Sequence, residues 1–290
     1  MFIIRQITAF VFSLLFTLGA FTPESMEIPN VPEISEECVR IVSFNVRCKD
    51  DLYGSVDGRS QLICSAINQY KPDSFGVQEA TQQWLDIFKE NLGDDYACIS
   101  QMRDSKSSSE ASAVYYLKDK YELLDSGTIW LSDSPEEFAS KYTFSFCPRI
   151  ATWATLKNKA DGKIYTHVNT HLDHVFESVR VDQIRVLIAK IEELKKDGNP
   201  VVCTGDFNTK EVADAYNEMK GCLNDSKYLA AVSDEGATFT NYGQNPLETK
   251  PIDFIFVSDS VEVDTYKIID EQIGGMYLSD HAGLCADIRF

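Results

Sequence analysis

Polar side chains stand at the ends of hydrophobic runs throughout this chain. Asn45 follows the run from Arg40 to Phe44, Glu79 follows Phe75 to Gln78, and Asp206 and Asn208 follow Val201 to Gly205. His171 closes Asn169-Thr170-His171, Asp253 opens the run to Val257, and Asp280-His281 precede the last apolar stretch. Strand ends are where a rigid sheet presents side chains to a cleft. Asn45, Glu79, Asp206, Asn208 and Asp280 offer carboxylates and amides, which suit a hard, hydrated cation such as magnesium or manganese far better than zinc. Such a cation polarises a phosphoryl oxygen. His171 and His281, each able to find a carboxylate, add proton transfer or phosphate stabilisation near neutral pH. Singly, each residue has a structural reading: Asn45 and the Asp206–Asn208 stretch as turns, Glu79 as an acid at a helix start, either histidine as a hydrogen-bonded structural group. Together they point to chemistry on a phosphate ester.

Strands separated by helices must position these groups. Hydrophobic runs predict strands over Arg40–Asn45, Ser74–Gln78, Ala111–Leu117, Glu122–Leu131, Ala151–Leu156, Lys163–Asn169, Pro200–Thr204, Ile252–Val257, Val261–Ile269 and Ala282–Ile288. Helical patterns cover Arg59–Gln69, Gln82–Asn91, Phe176–Lys196 and Glu211–Met219. The third is the clearest, because Val181, Ile184, Ile188, Ile191 and Leu194 form one apolar stripe. No fixed-period repeat is visible, which excludes solenoids and propellers. The pattern predicts an α/β (α+β) domain of two packed sheets with helices outside them.

With 290 residues, 44% of them hydrophobic, the chain has enough apolar surface for one large core without cross-links. Residues 1–21 carry one charged side chain, Arg5, and an apolar stretch from Ile7 too short for a comfortable membrane span. They read as a secretory signal peptide cleaved near Gly19-Ala20, with an uncleaved anchor as the alternative. Residues 22–37 read as a tether, and 38–290 as the catalytic domain of a secreted, monomeric protein with no stable membrane insertion after cleavage. Lys and Arg number 27 against 45 Asp and Glu, a formal net charge of −18, and loss of the leader removes Arg5 but no acid. This balance argues against tight, sequence-independent binding to long nucleic acid, which relies on a basic surface. The eight cysteines are compatible with disulfides in an oxidising compartment, while Cys203 and Cys285 sit in strand-like runs that read equally well as core. No C-x-x-C pair or Cys/His cluster has zinc spacing.

The segments Val42–Val46, Val77–Glu79, Asn169–Leu172, Gly205–Asn208, Ile252–Ser258 and Ser279–His281 together resemble the ordered motif set of the endonuclease/exonuclease/phosphatase superfamily. The resemblance runs from about Arg40 to the C-terminus and implies a four-layer, deoxyribonuclease I-like sandwich. It implies that Glu79 binds the metal with help from Asn45 and Asp280, and that Asp206 orients or deprotonates the attacking water beside Asn208. It also implies that His281, held by Asp253, faces the scissile phosphate, that His171 is a second phosphate contact, and that Glu110 orients His171. Arg149 is a candidate phosphate grip, since a guanidinium offers two parallel hydrogen bonds, with a surface salt bridge as its structural reading. Asp173 and His174 extend the histidine motif as in a bacterial-type branch, or cap the following loop.

The Ile252–Ser258 and Ser279–Ala282 segments are similar to the nocturnin and carbon-catabolite-repressor deadenylase side of the superfamily. A metal-dependent nuclease, an RNA 3'-5' exonuclease or a DNase-like enzyme, is therefore the first expectation. The second is a phosphatase or phosphodiesterase of small molecules or lipids, such as sugar phosphates, inositol phosphates or sphingomyelin. The third is a non-catalytic binding protein on the same fold. No interleaved basic and aromatic stripe offers a platform for single strands, and no hydrophobic hairpin offers a lipid anchor.

Overall fold

The run Val39–Asn45 is buried on both faces beyond its first residue, so it needs cover from two sides. In the computed structural model, which describes residue 28 and residues 31–245, 250–273 and 275–290, that cover is a helical layer on one side and a second sheet on the other. The elements in chain order are β1 (Val39–Asn45), α1 (Val56–Tyr70), β2 (Ser74–Ala80), α2 (Gln82–Leu92), β3 (Tyr96–Ile99), β4 (Ala111–Leu117), β5 (Tyr121–Trp130), β6 (Ile150–Asn158), β7 (Ile164–His171), α3 (Glu177–Leu194), β8 (Val201–Asp206), α4 (Asp214–Lys220), β9 (Asn224–Asp225), α5 (Ser226–Leu229), β10 (Val232–Ser233), β11 (Asp253–Val257), β12 (Glu262–Ile269), β13 (Gln272–Ile273), β14 (Met276–Tyr277) and β15 (Gly283–Arg289).

A seven-stranded sheet has the order β10-β12-β15-β1-β2-β4-β3 and a six-stranded sheet the order β5-β6-β7-β8-β11-β9. Strand alternation divides the apolar residues among three cores. Val42 and Phe44 of β1 pack with Leu62, Ile67 and Trp84 of α1 and α2. Ile41 meets Leu156, Val202 and Ile255 of the other sheet. Cys203 and Phe256 pack with Ile184, Leu187 and Met219 of α3 and α4. The result is the expected helix–sheet–sheet–helix sandwich.

Strand direction then gathers the chemistry at one end. β1 and β2 are parallel, with Asn45 opposite Gln78, so Asn45 and Glu79 leave the first sheet on the same edge. β7 and β8 are parallel, with His171 opposite Asp206, and β11 runs back antiparallel with Asp253 opposite Asp206. β15 is antiparallel to β1, so the residues just before Gly283 arrive beside Asn45.

Beneath this end the sheets are joined by buried polar groups. Asn169 donates to the carbonyls of Val77 (2.9 Å) and Ala113 (2.9 Å) and accepts from Gln78 (2.7 Å). His167 bridges Ser74 and Thr204, both at 2.8 Å. The sheets approach so closely here that a Cβ on Gly76 would collide with Thr204 Oγ1 and Asn169 Oδ1. Buried and hydrogen-bonded across both sheets, such a network is a strong constraint on sheet-to-sheet position.

Several expectations change. The stretch expected as a tether is partly bound to the body: Ile28 is buried in the first core, its amide donates to Gln69 Oε1 (2.7 Å), and the Pro32 carbonyl accepts from Arg40 (2.8 Å). The signal peptide expected over residues 1–21 falls outside the described residues. Among those described, no helix is long and apolar enough to cross a membrane. All eight cysteines are free thiols rather than disulfides, and Cys203 and Cys285 belong to different cores. The buried face of α3 is Val179, Gln183, Ile184, Leu187 and Ile191, which rotates the expected stripe because Gln183 turns inward to accept from the Asp173 amide (2.8 Å).

Candidate active site

Glu79 lies in a strand yet has φ of 61°, a left-handed conformation that costs a non-glycine residue energy. The pairing of β2 with β4 shifts register between Val77 and Ala80, so a bulge re-aims this side chain at the sheet's end. Its carboxylate accepts from the Cys48 amide (2.9 Å) and from Asn45 Nδ2 (3.2 Å). Burial pushes its pKa up, but these hydrogen bonds and the charge of His281 outweigh that and hold it below the usual carboxylate range. The second hydrogen of Asn45 Nδ2 goes to Asp206 Oδ2 (3.0 Å), so one amide ties the two carboxylates together.

Asp206 is almost wholly enclosed. Its Oδ1 accepts from the Asn208 amide (2.9 Å), and its Oδ2 lies 3.4 Å from His171 Nε2 and 3.8 Å from His281 Nε2. Burial, then the nearby Asp253, push its pKa up to about 7. Asn208 itself, at φ 49°, donates its side-chain amide to the Leu172 carbonyl (3.2 Å) and shapes the loop rather than reaching for a second charged group.

The two histidines differ in charge. Burial opposes a proton on His281, but Asp253, whose Oδ2 is 2.8 Å from Nδ1, together with Asp206 and Asp280 raises its pKa to about 10. Burial and the cations of Arg149 and Arg103 hold His171 well below the usual range. His281 is therefore an imidazolium at neutral pH and His171 a neutral imidazole, so the His171–Asp206 contact is a long polar contact and not an ion pair.

Asp280 completes the cluster. Its carboxylate sits 3.3 Å from Arg47, and burial, with a contribution from Glu79, raises its pKa against the opposing charges of His281 and Arg47. The Asp206, Asp253 and His281 ligand atoms lie within 4.8 Å of one another, close enough to hold a cation. A cation there would compete with the imidazolium and with the Asp253 hydrogen bond. Glu79, Asn45 and Asp280 would instead offer oxygen donors alone, with Glu79 held anionic, which is the chemistry a hard cation such as magnesium or manganese takes.

Beside His171 lies a small pocket of about 10 Å³ lined by Glu79, Arg103, Glu110, Ala111, Ser112, Arg149, Ile150 and His171. Glu110 lines this pocket but does not hold His171. Arg103 takes both its oxygens in a bidentate pair (2.6 and 2.9 Å). Arg103 carries no sequence signal, standing at the edge of a serine-rich loop, and the fold supplies its position. Arg149 is not a surface salt bridge: it is 4% exposed, its Nη2 donates to His174 Nδ1 (3.1 Å), and its Nε and Nη1 have no partner among the described residues. Asp173 is structural, accepting from the amides of Phe146, Val175 and Phe176.

The fold recurs in known proteins. The structure superposes on an endonuclease/exonuclease/phosphatase from Bacteroides vulgatus with a TM-score of 0.82 and 35% identity, covering 87% of this chain and 99% of the other. It also superposes on a mannosyl-6-phosphatase from Bacteroides thetaiotaomicron with a TM-score of 0.79 and 29% identity, covering 87% and 100%. A curated relative, the 3'-5'-exoribonuclease subunit Ccr4 of the CCR4-Not complex of Mycosarcoma maydis, is 23% identical over 191 residues, 56% of this chain and only 28% of the relative's length. Residues 42–281 match the Endonuclease/Exonuclease/phosphatase family, and the chain belongs to that family of phosphate-ester hydrolases.

Proposed function

We propose that the protein is a divalent-cation-dependent phosphomonoesterase acting on a small phosphorylated molecule. The observation that carries this reading is Arg149, buried in the pocket beside His171 with two guanidinium nitrogens that have no partner among the described residues. An unpaired buried donor is costly, and a phosphate oxygen is its natural acceptor. Arg149 and His171 share the lining of one pocket, so two groups able to meet phosphate oxygens stand together. The acidic charge balance and the full-length likeness to a mannosyl-6-phosphatase support the same reading.

In this proposal Asp206 accepts the proton of the attacking water, since its raised pKa makes it a stronger base than an ordinary carboxylate. His281, charged and fixed by Asp253, stabilises a phosphoryl oxygen, while neutral His171 donates a hydrogen bond to another. Arg149 orients the remaining oxygens. Asn45, Glu79 and Asp280 would hold the magnesium or manganese ion, which neutralises charge developing on the phosphoryl group. The leader read over residues 1–21 supports secretion as the destination.

The test is product release with magnesium or manganese from a hexose 6-phosphate, RNA, DNA, sphingomyelin and a bis-aryl phosphate. Monoester turnover exceeding every diester by at least about a hundredfold, roughly 3 kcal/mol of barrier, supports the proposal. The likeness to Ccr4 favours the nuclease alternative, and faster release from RNA or DNA would replace this reading with it.

A further inference from the structure

Arg149 is connected outward as well as inward. Its Nη2 lies 3.1 Å from His174 Nδ1. A guanidinium only donates, so Nδ1 must accept and the imidazole proton sits on Nε2. His174 is exposed, and the Phe146 ring packs edge-on against it, with centroids 4.9 Å apart and planes at 71°. Phe146 is 71% exposed although its backbone is fixed: its amide donates to the buried Asp173 carboxylate (2.9 Å). The three residues thus form a short path from buried Arg149 to solvent. It runs from an anion grip, through a hydrogen-bond donor, to a large apolar face that the fold holds open.

We infer that Phe146 and His174 are the leaving-group subsite: the apolar face of a pyranose ring lies on Phe146, a ring oxygen accepts from His174 Nε2–H, and the attached phosphate reaches Arg149. This rests on the phosphomonoesterase reading. A saturated sugar ring presents C–H groups on its face and hydroxyls around its rim, and the near-perpendicular rings of Phe146 and His174 offer one wall for each. Holding an aromatic ring in water without a partner is unfavourable, and a ligand face removes that exposure. A nucleobase also offers a flat face and rim acceptors, so a nucleotide is the competing ligand that the test must include.

The experiment compares kcat/KM for a hexose 6-phosphate, a nucleoside 5'-monophosphate and ethyl phosphate, with a bis-aryl phosphate as the diester control, using the full chain with magnesium. Wild type is expected to prefer the hexose phosphate over ethyl phosphate, and Phe146→Ala to lower that preference about tenfold, mainly through KM. Phe146→Tyr should restore it, and His174→Ala should lower it as well. Because Phe146 is 71% exposed, an unchanged melting temperature is expected and separates lost contact from lost fold. An unchanged ratio in Phe146→Ala, or a loss confined to the nucleotide, overturns the subsite while leaving the phosphomonoesterase intact. Absence of turnover on all three monoesters, with a diester cleaved, overturns the phosphomonoesterase and the subsite with it.

Discussion

Asp253 Oδ2 and His281 Nδ1 meet at 2.8 Å although 28 residues separate them, because β11 begins where the loop before β15 arrives. The pair fixes the ring with Nε2 turned toward Asp206 and keeps it charged. Replacing Asp253 by Asn removes the charge and leaves the shape. Turnover is expected to fall at least about a hundredfold, with the fold intact by circular dichroism. Since both residues act through one ring, Asp253→Asn combined with His281→Ala should cost little more than His281→Ala alone. Additive losses in that cycle would mean that Asp253 has a separate task.

Glu79 is the carboxylate most firmly prepared for a cation, held below its usual range by the Cys48 amide and Asn45. Glu79→Gln preserves the volume and removes the charge. The magnesium concentration giving half-maximal rate should rise by about a hundredfold. A magnesium titration of wild type and variant measures this directly, and superimposable curves would move the cation to the Asp206–Asp253–His281 cluster.

Away from the site, Arg40 and Asp287 form a buried bidentate pair on neighbouring strands, at 2.7 and 2.8 Å, with both side chains 3% exposed. Removing one partner strands the other charge in the core. Asp287→Ala should destabilise the protein by about 3 to 5 kcal/mol, read as a drop in the urea midpoint. Turnover per folded molecule should hold, since the pair lies at the far end of β1 and β15 from Asn45.

Sequence alone revealed the groups that sit where a hydrophobic run stops: Asn45, Glu79, Asp206, Asp253 and His281 are all marked by the strand beside them, and strand direction does the gathering. It could not reveal Arg103 as the partner of Glu110 or His174 as the partner of Arg149, because those contacts close across loops whose conformations have no periodic signature. The Asn169-Thr170-His171 motif hid two different tasks: Asn169 clamps the sheets together, and only His171 reaches the site. The short strand β3 was likewise invisible, since its four residues alternate too briefly to register. Ile28 looked like part of a tether because a single apolar side chain carries no pattern, yet it finds a place in the core.

Asp225 carries a stability cost that pH should expose. It is 3% exposed, caps α5 through the Lys227 amide (3.0 Å) and accepts from the Tyr216 hydroxyl (3.0 Å). Burial raises its pKa to about 6 despite those bonds. A carboxyl whose folded pKa lies above its unfolded value, about 3.9, favours the folded state while protonated. That contribution is complete below about pH 4 and is lost as pH rises through 6. Asp225→Asn keeps an oxygen for the Lys227 amide and imitates the protonated form at every pH. The variant should therefore match wild type near pH 4 and be more stable above pH 7, by at most about 3 kcal/mol. Urea denaturation at both pH values checks it: an equal gain at both would trace the effect to packing, and a loss at neutral pH would mean that the Tyr216 hydrogen bond outweighs the cost of the buried charge.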